Sequence, residues 1–294
     1  MKLPAMLKLI RPHQWVKNMF VALPLFFGGS LLDVWCWRQT ALTFFAFSFV
    51  ASAVYCLNDI MDAETDRLHP KKKLRPVASG DVSAPAAYAL MVALVVASIA
   101  LCFLLGADRG AVVAGIILTY FLLNIAYCLR LKHYAIIDVF TISLGFVLRL
   151  CAGGEACHIW LSPWIVCMTF LISLFLAFAK RRDDVVIRQT TGLVTRDNTV
   201  RYNLEFMNQT LGLIGAITIV CYIIYTVQPD VEARMGSGYV YITSVFVLAG
   251  ILRYLQVAIV DVRSGSPTKI LLRDRFIQAC VAMWILVFIA IIYL

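Results

Sequence analysis

At 294 residues, 62% of them hydrophobic and only 15% charged, the chain is far too apolar for a soluble globular protein. The formal net charge of +9 would suit nucleic acid, but the cations are dispersed over the segments between apolar runs, which excludes that partner. The nine cysteines lie in or beside apolar segments with no Cys-x-x-Cys pair, so neither a zinc site nor a disulfide framework is indicated.

In chain order, residues 2–12 read as a short amphipathic lead-in lying on a membrane surface. The first apolar run follows Arg11-Pro-His-Gln-Trp-Val-Lys-Asn18 and leads into further apolar segments, unlike the short core and cleavage site of a signal peptide. Charge-poor runs of roughly 18–22 residues are long enough to cross a bilayer as helices. They predict nine spans, at 16–32, 38–57, 84–106, 110–130, 135–155, 160–179, 210–228, 239–260 and 276–294. The expected fold is therefore an all-α polytopic membrane protein, a single domain over 1–294. Nine spans put the N-terminal segment and the loops 58–83, 131–134, 180–209 and 261–275 on one side. Every Lys and Arg except Arg38, Arg109, Arg149, Arg234 and Arg253 falls there, a bias that assigns this side to the cytoplasm of a cell membrane. Nearly all the carboxylates gather there too, whereas a transporter would more often carry its polar groups near the midplane, in broken helices. A site acting on one substrate from the cytosol and one in the lipid fits this arrangement.

The densest chemistry runs from Tyr55 to Gly80, where an apolar helix turns abruptly into charge. Asn58, Asp62 and Asp66 recur every four residues with Asp59 beside them, so a continuing helix would put their oxygens on one face, within reach of a common ion. Hard oxygen ligands suit Mg²⁺, which binds through one or two carboxylates plus substrate phosphates. Arg67, Lys71, Lys72, Lys73 and Arg75 follow and could hold those phosphates. The plainer alternative is a solvated loop whose charges only set topology.

Beyond it, Tyr127, Arg130 and Lys132 end the fourth span and could meet phosphate oxygens, or serve as an aromatic-belt residue with positive anchors. Arg149 lies some fifteen residues into the fifth span, and an intramembrane Arg faces a bundle interior or a wet cavity. The structural alternative is an ion pair with an interior carboxylate. Lys180 and Arg181 are further candidate phosphate ligands; the adjacent Asp183 and Asp184 point in different directions on a helix and make a poor chelate. Asp261, Arg263, Lys269, Arg273 and Arg275 read as topology and surface pairing. Small-residue patches such as Gly28-Gly29-Ser30 leave open packing inside the chain or within a homo-oligomer.

Together these motifs resemble the UbiA superfamily of intramembrane prenyltransferases, with an Asn-Asp-x-x-Asp-x-x-x-Asp motif closing the second helix. The resemblance covers essentially the whole chain. The second Asp-x-x-x-Asp usual in that superfamily has no counterpart here, since Asp183 is followed four later by Ile187 and Asp184 by Arg188. The finer resemblance is to the decaprenyl-phosphate phosphoribosyltransferase branch, through Arg11-Pro-His-Gln-Trp-Val-Lys-Asn18, His69-Pro-x-Lys-x-x-x-Arg-Pro76, Ala78-Ser-Gly80, Leu131-Lys-His133 and Gly145-Phe-Val-Leu-Arg149. It implies Mg²⁺-dependent transfer of 5-phosphoribose from phosphoribosyl diphosphate to a polyprenyl phosphate. Asn58 and Asp62 would hold the metal, and Lys17, Tyr55, Lys73, Lys132 and Arg149 would contact donor or acceptor phosphates. Arg75, Tyr127, Lys180 and Arg181 join the expected substrate-binding set, and Asp59, Asp62 and Asp66 the catalytic set. Two alternatives stand beside it: prenyl transfer from a prenyl diphosphate to an aromatic acceptor, and a carrier or lipid-binding protein without chemistry.

Overall fold

The computed structural model describes residues 3–68, 72–192, 197–262, 270–271 and 273–293. The His69, Pro70 and Lys71 part of one motif, with Arg196, Arg263 and Lys269, lies outside the described residues. Helices account for all the regular structure among the described residues. In order they are α1 (Leu3–Ile10), a 3-10 stretch (Pro12–Ala22) running into α2 (Leu23–Phe27), α3 (Val34–Met61), α4 (Ala63–Leu68), α5 (Ala84–Phe103) and α6 (Ala107–Leu129). Then come α7 (Ile137–Ala156), α8 (Pro163–Thr191), α9 (Leu204–Thr226), α10 (Pro229–Met235), α11 (Ser244–Ile259) and α12 (Arg275–Tyr293).

Seven of these segments, α3, α5 to α9 and Val240–Ile259, are long and apolar enough to cross a membrane. The chain is an integral membrane protein, and nine full-length spans are not what the structure contains among the described residues. The expected span 16–32 is a 3-10 stretch and a five-residue helix, because Pro24 withholds a ladder N–H and Gly29 turns the chain out at φ 70°. The last helix, α12, is apolar over Arg275–Ile291 among the described residues. The sixth span, expected to end at 179, instead continues to Thr191, where Gly192 closes it at φ 71°, so Lys180 to Arg188 ride on a helix. Helix starts carry the caps their sequences offer: Ser83, Ser162 and Asn203 each accept an N–H three residues on, and Asp33 accepts those of Trp35 and Cys36. The Cys36 thiol and these N–H groups hold the Asp33 carboxyl below the usual carboxylate range.

The chain divides into two compact units, residues 1–132 with 145–161, and residues 133–144 with 162–294. In the first, α3 is central and packs against α1, the 3-10 stretch, α5 and α6. Phe47, Val50, Val54, Val113, Ile117 and Tyr120 form its main buried cluster. Gly153 lets α7 press onto the 3-10 stretch: a Cβ there would sit 2.0 Å from the Val21 carbonyl oxygen. Of the small-residue patch, Gly28 is packed inside this unit, where a Cβ would lie 2.9 Å from the Ile159 side chain. In the second unit α8 packs on α9, and α11 on α9 and α12, around Leu174, Phe175, Phe178, Leu211, Ile251 and Tyr254.

Candidate active site

The polar centre of the first unit forms where α3 runs out. The backbone N–H of Asp62 reaches the Asn58 carbonyl (3.0 Å) and that of Asp66 reaches the Asp62 carbonyl (2.8 Å), so the four-residue spacing survives the joint between α3 and α4. The side chains nevertheless diverge. Asp59 and Asp66 are 1% and 2% exposed, and each is neutralised by arginine. Arg11 donates to Asp59 Oδ1; Arg75 Nη1 donates to Asp66 Oδ2 at 2.6 Å and lies 3.7 Å from Asp59 Oδ1. A carboxylate this far from water requires such a partner. Asn58 and Asp62, by contrast, are half-buried, and Lys132 Nζ donates to Asp62 Oδ1 at 2.7 Å while the Cys128 thiol donates to Asn58 Oδ1 at 3.0 Å.

The expectation that all four groups meet one ion is thereby corrected. Among the described residues no three carboxylates, imidazoles or thiols converge on one point. Two carboxylates fix guanidinium groups, and one amide and one carboxylate a turn apart remain for a cation. That smaller pair does fit a hard divalent ion, which takes few protein oxygens and fills its shell with phosphate oxygens and water. Among the described residues a weak thiol donor and an ammonium compete for those oxygens.

Arg11 is the participant that sequence reasoning missed, having been counted as a topology charge. Its backbone is left-handed (φ 54°) and its guanidinium lies 5.1 Å from the Tyr55 ring centroid while pairing with Asp59. The available signal was its place at the head of the Arg11-Pro-His-Gln-Trp-Val-Lys-Asn18 motif, which enters the resemblance without a role for Arg11.

Arg149 sits on α7 in the same unit and is 6% exposed. Its Nε donates to Asn18 Oδ1 (2.7 Å), Nη1 to the Gly145 carbonyl (2.7 Å) and Nη2 to the Tyr120 hydroxyl (2.9 Å). The faces of Tyr120, Phe146 and Phe47 lie 4.6, 5.2 and 5.5 Å from its guanidinium carbon. The ion-pair alternative does not hold: every acceptor found among the described residues is neutral.

The other expected ligands are less concentrated. Lys17 and Tyr127 are half-buried, Lys73 is exposed in the turn Lys72–Leu74, and Lys132 is half-buried in the turn Leu131–His133. In the second unit Lys180 is exposed on α8. Arg181 departs from the reading as a phosphate ligand: it is 2% exposed, its Nε donating to Asp138 Oδ2 at 2.6 Å and its Nη1 lying 3.4 Å from Asp184 Oδ2. Arg182 is likewise committed to Asn208 (2.7 Å) and the Ala258 carbonyl (2.6 Å), and Arg188 to the Thr199 and Tyr202 carbonyls.

A membrane-embedded helical protein with arginine-held carboxylates at the end of one helix and a caged arginine on another has the makings of an intramembrane enzyme. The chain belongs to the UbiA prenyltransferase family, whose model matches residues 19–266, a range that includes parts of both units. It is 33% identical to the decaprenyl-phosphate phosphoribosyltransferase of Corynebacterium glutamicum over 98% of this chain and 87% of that one. It is 34% identical to the protein of the same name in Mycolicibacterium smegmatis, over 95% of this chain and 90% of that one. Among solved structures, a UbiA homolog from Archaeoglobus fulgidus bound to GPP and Mg²⁺ superposes with a TM-score of 0.70 at 19% identity, covering 99% of this chain and 100% of that one. The fold is thus shared with that structure, and the protein is a transferase.

Proposed function

We propose that this protein transfers 5-phosphoribose from phosphoribosyl diphosphate to a polyprenyl phosphate and releases pyrophosphate. The observation that carries the reading is the charge inventory of the first unit. Apart from Asp59 and Asp66, which are taken up by arginine, its polar centre offers one amide–carboxylate pair and several cations, one of them the caged Arg149 with only neutral partners. A diphosphate, a sugar 5-phosphate and a lipid monophosphate need that surplus. Prenyl transfer needs one diphosphate site, commonly with two acidic motifs, and the second is missing at Asp183 and Asp184. The names of the curated relatives support the same reading.

In this mechanism the anomeric C–O bond to the diphosphate breaks as an acceptor phosphate oxygen bonds to the same carbon, with oxocarbenium character between. The acceptor oxygen is already anionic, so no strong general base is required. Asn58 and Asp62 would hold Mg²⁺, which when bound supplies charge stabilisation to the departing pyrophosphate. Lys132, which donates to Asp62, is a further proposed phosphate ligand. Asp59 and Asp66 hold Arg11 and Arg75 in place, leaving their remaining N–H groups for substrate. Lys17, Tyr55, Lys73 and Tyr127 complete the proposed phosphate contacts of the first unit, and Lys180 is proposed as a phosphate ligand of the second. The chain acts as one domain in a cell membrane with this centre towards the cytoplasm, as the bias of Lys and Arg supports.

The test supplies labelled phosphoribosyl diphosphate to purified protein in detergent with Mg²⁺ and a polyprenyl phosphate, with and without EDTA. EDTA-sensitive entry of label into the lipid phase is expected. No transfer, together with consumption of a prenyl diphosphate in the presence of an aromatic acceptor, would refute the proposal.

A further inference from the structure

Asn18 is buried in the 3-10 stretch, and its contacts determine which way its amide points. The Ser48 hydroxyl donates to the Phe44 carbonyl at 2.7 Å, so its oxygen is left to accept from Asn18 Nδ2 at 3.0 Å. The amide oxygen must then face Arg149 Nε. Arg149 has five N–H groups; three are bound, and one on each terminal nitrogen has no partner among the described residues. All three acceptors are neutral, and three aromatic faces wall the group in. A cation so enclosed is expensive to keep without a counter-ion, and the ring quadrupoles offset only part of that.

Asparagine at this position has a sharp consequence. Aspartate has the same size and would accept the same bond, but it would pair with Arg149 and cancel its charge. We infer that Asn18 is a positioning residue that aims Arg149 while leaving its charge free for a phosphate monoester. The ligand group is a monoester rather than the metal-held diphosphate because of depth. Phe47, which contacts the guanidinium, precedes Asn58 by eleven residues, or roughly 16 Å along α3. The proposed function, on which this inference rests, offers two such groups: the polyprenyl phosphate headgroup and the 5-phosphate of the donor.

The test compares wild type with Asn18→Asp and Asn18→Ala, measuring KM for each substrate, kcat, and the thermal shift that polyprenyl phosphate or ribose 5-phosphate produces. Asn18→Asp, which gains an ion pair with Arg149 but loses the Nδ2 donation to Ser48, is expected to fold and to raise KM for one of the two monoester substrates by about tenfold or more, with little change for the other. The same monoester should stabilise wild type and lose that effect in the variant, which names the source. A structural role predicts instead a matched loss on both substrates. KM values and thermal shifts within about twofold of wild type would overturn the inference, as would Asn18→Asp binding both ligands normally. Should the aspartate variant not fold, Asn18→Ala carries the same KM comparison. Absence of transfer by the wild type would refute the function alone, because the ligand-induced thermal shifts still decide the role of Asn18.

Discussion

Removing Asp138 isolates what Arg181 is for. The pair is almost fully buried, with a 2.6 Å bond from Nε to Oδ2, and Asp184 stands 3.4 Å from the other side of the guanidinium. Asp138→Ala removes the shorter of the two carboxylate contacts to this buried cation, the one to Asp184 at 3.4 Å remaining. Breaking such a pair from one side costs about 3–5 kcal/mol, and Asp184 argues for the low end, ~3 kcal/mol. In a detergent-solubilised sample that corresponds to a fall in Tm of roughly 5–10 °C. Replacing both partners by apolar groups, Asp138→Leu with Arg181→Met, should return stability to within about 1 kcal/mol of wild type, since no charge is then buried alone. If Arg181 only ties α7 to α8, the double variant also keeps its transfer activity. A double variant with wild-type Tm but no turnover would refute this and restore Arg181 to the substrate. A single variant that loses less than about 1 kcal/mol would refute the burial argument itself.

Asp62→Asn should nearly abolish turnover while leaving Tm unchanged, because Asp62 is half-exposed and its amide can still accept from Lys132; retained EDTA-sensitive activity would exclude Asp62 from the metal site. Gly153→Ala drives a methyl to 2.0 Å from the Val21 carbonyl, so overpacking should lower stability by about 1–3 kcal/mol or more, read as a Tm loss in the same detergent. Asp274 accepts from Arg253 Nη2 at 2.8 Å and from the Ile277 N–H, and these hold its carboxyl below the usual carboxylate range. Its folded pKa being the lower one, the bond's stabilisation is present above the unfolded pKa of about 3.9 and is lost as pH falls through the folded value. The Tm difference between wild type and Asp274→Asn should therefore hold near neutrality and shrink below about pH 4; a difference independent of pH would exclude the ion pair.

Much of the polar chemistry was legible because its spacing is local. Asn58 and Asp62 lie one turn apart on a helix, and the sequence shows both the turn and the oxygens. Arg149 stood out because a cation within an apolar run must have a use. Arg181 misled because it follows an equally apolar run and reads like any positive residue at a helix end. Its partner lies 43 positions earlier, and periodicity carries no information about such a pairing. Arg11 was passed over for the same reason, its carboxylate being 48 positions away.

The amino-acid sequence by itself determined that this chain enters a membrane as helices, because backbone groups in lipid must be satisfied within each segment and apolar length is written locally. The tertiary structure decided which charges are available. Arg11 and Arg75 are set against Asp59 and Asp66, Arg181 is absorbed by Asp138, and Asn18, 131 positions from Arg149, meets it with a neutral oxygen. In a low-dielectric interior a cation's function depends on whether its nearest acceptor is charged, and packing alone brings that acceptor into place.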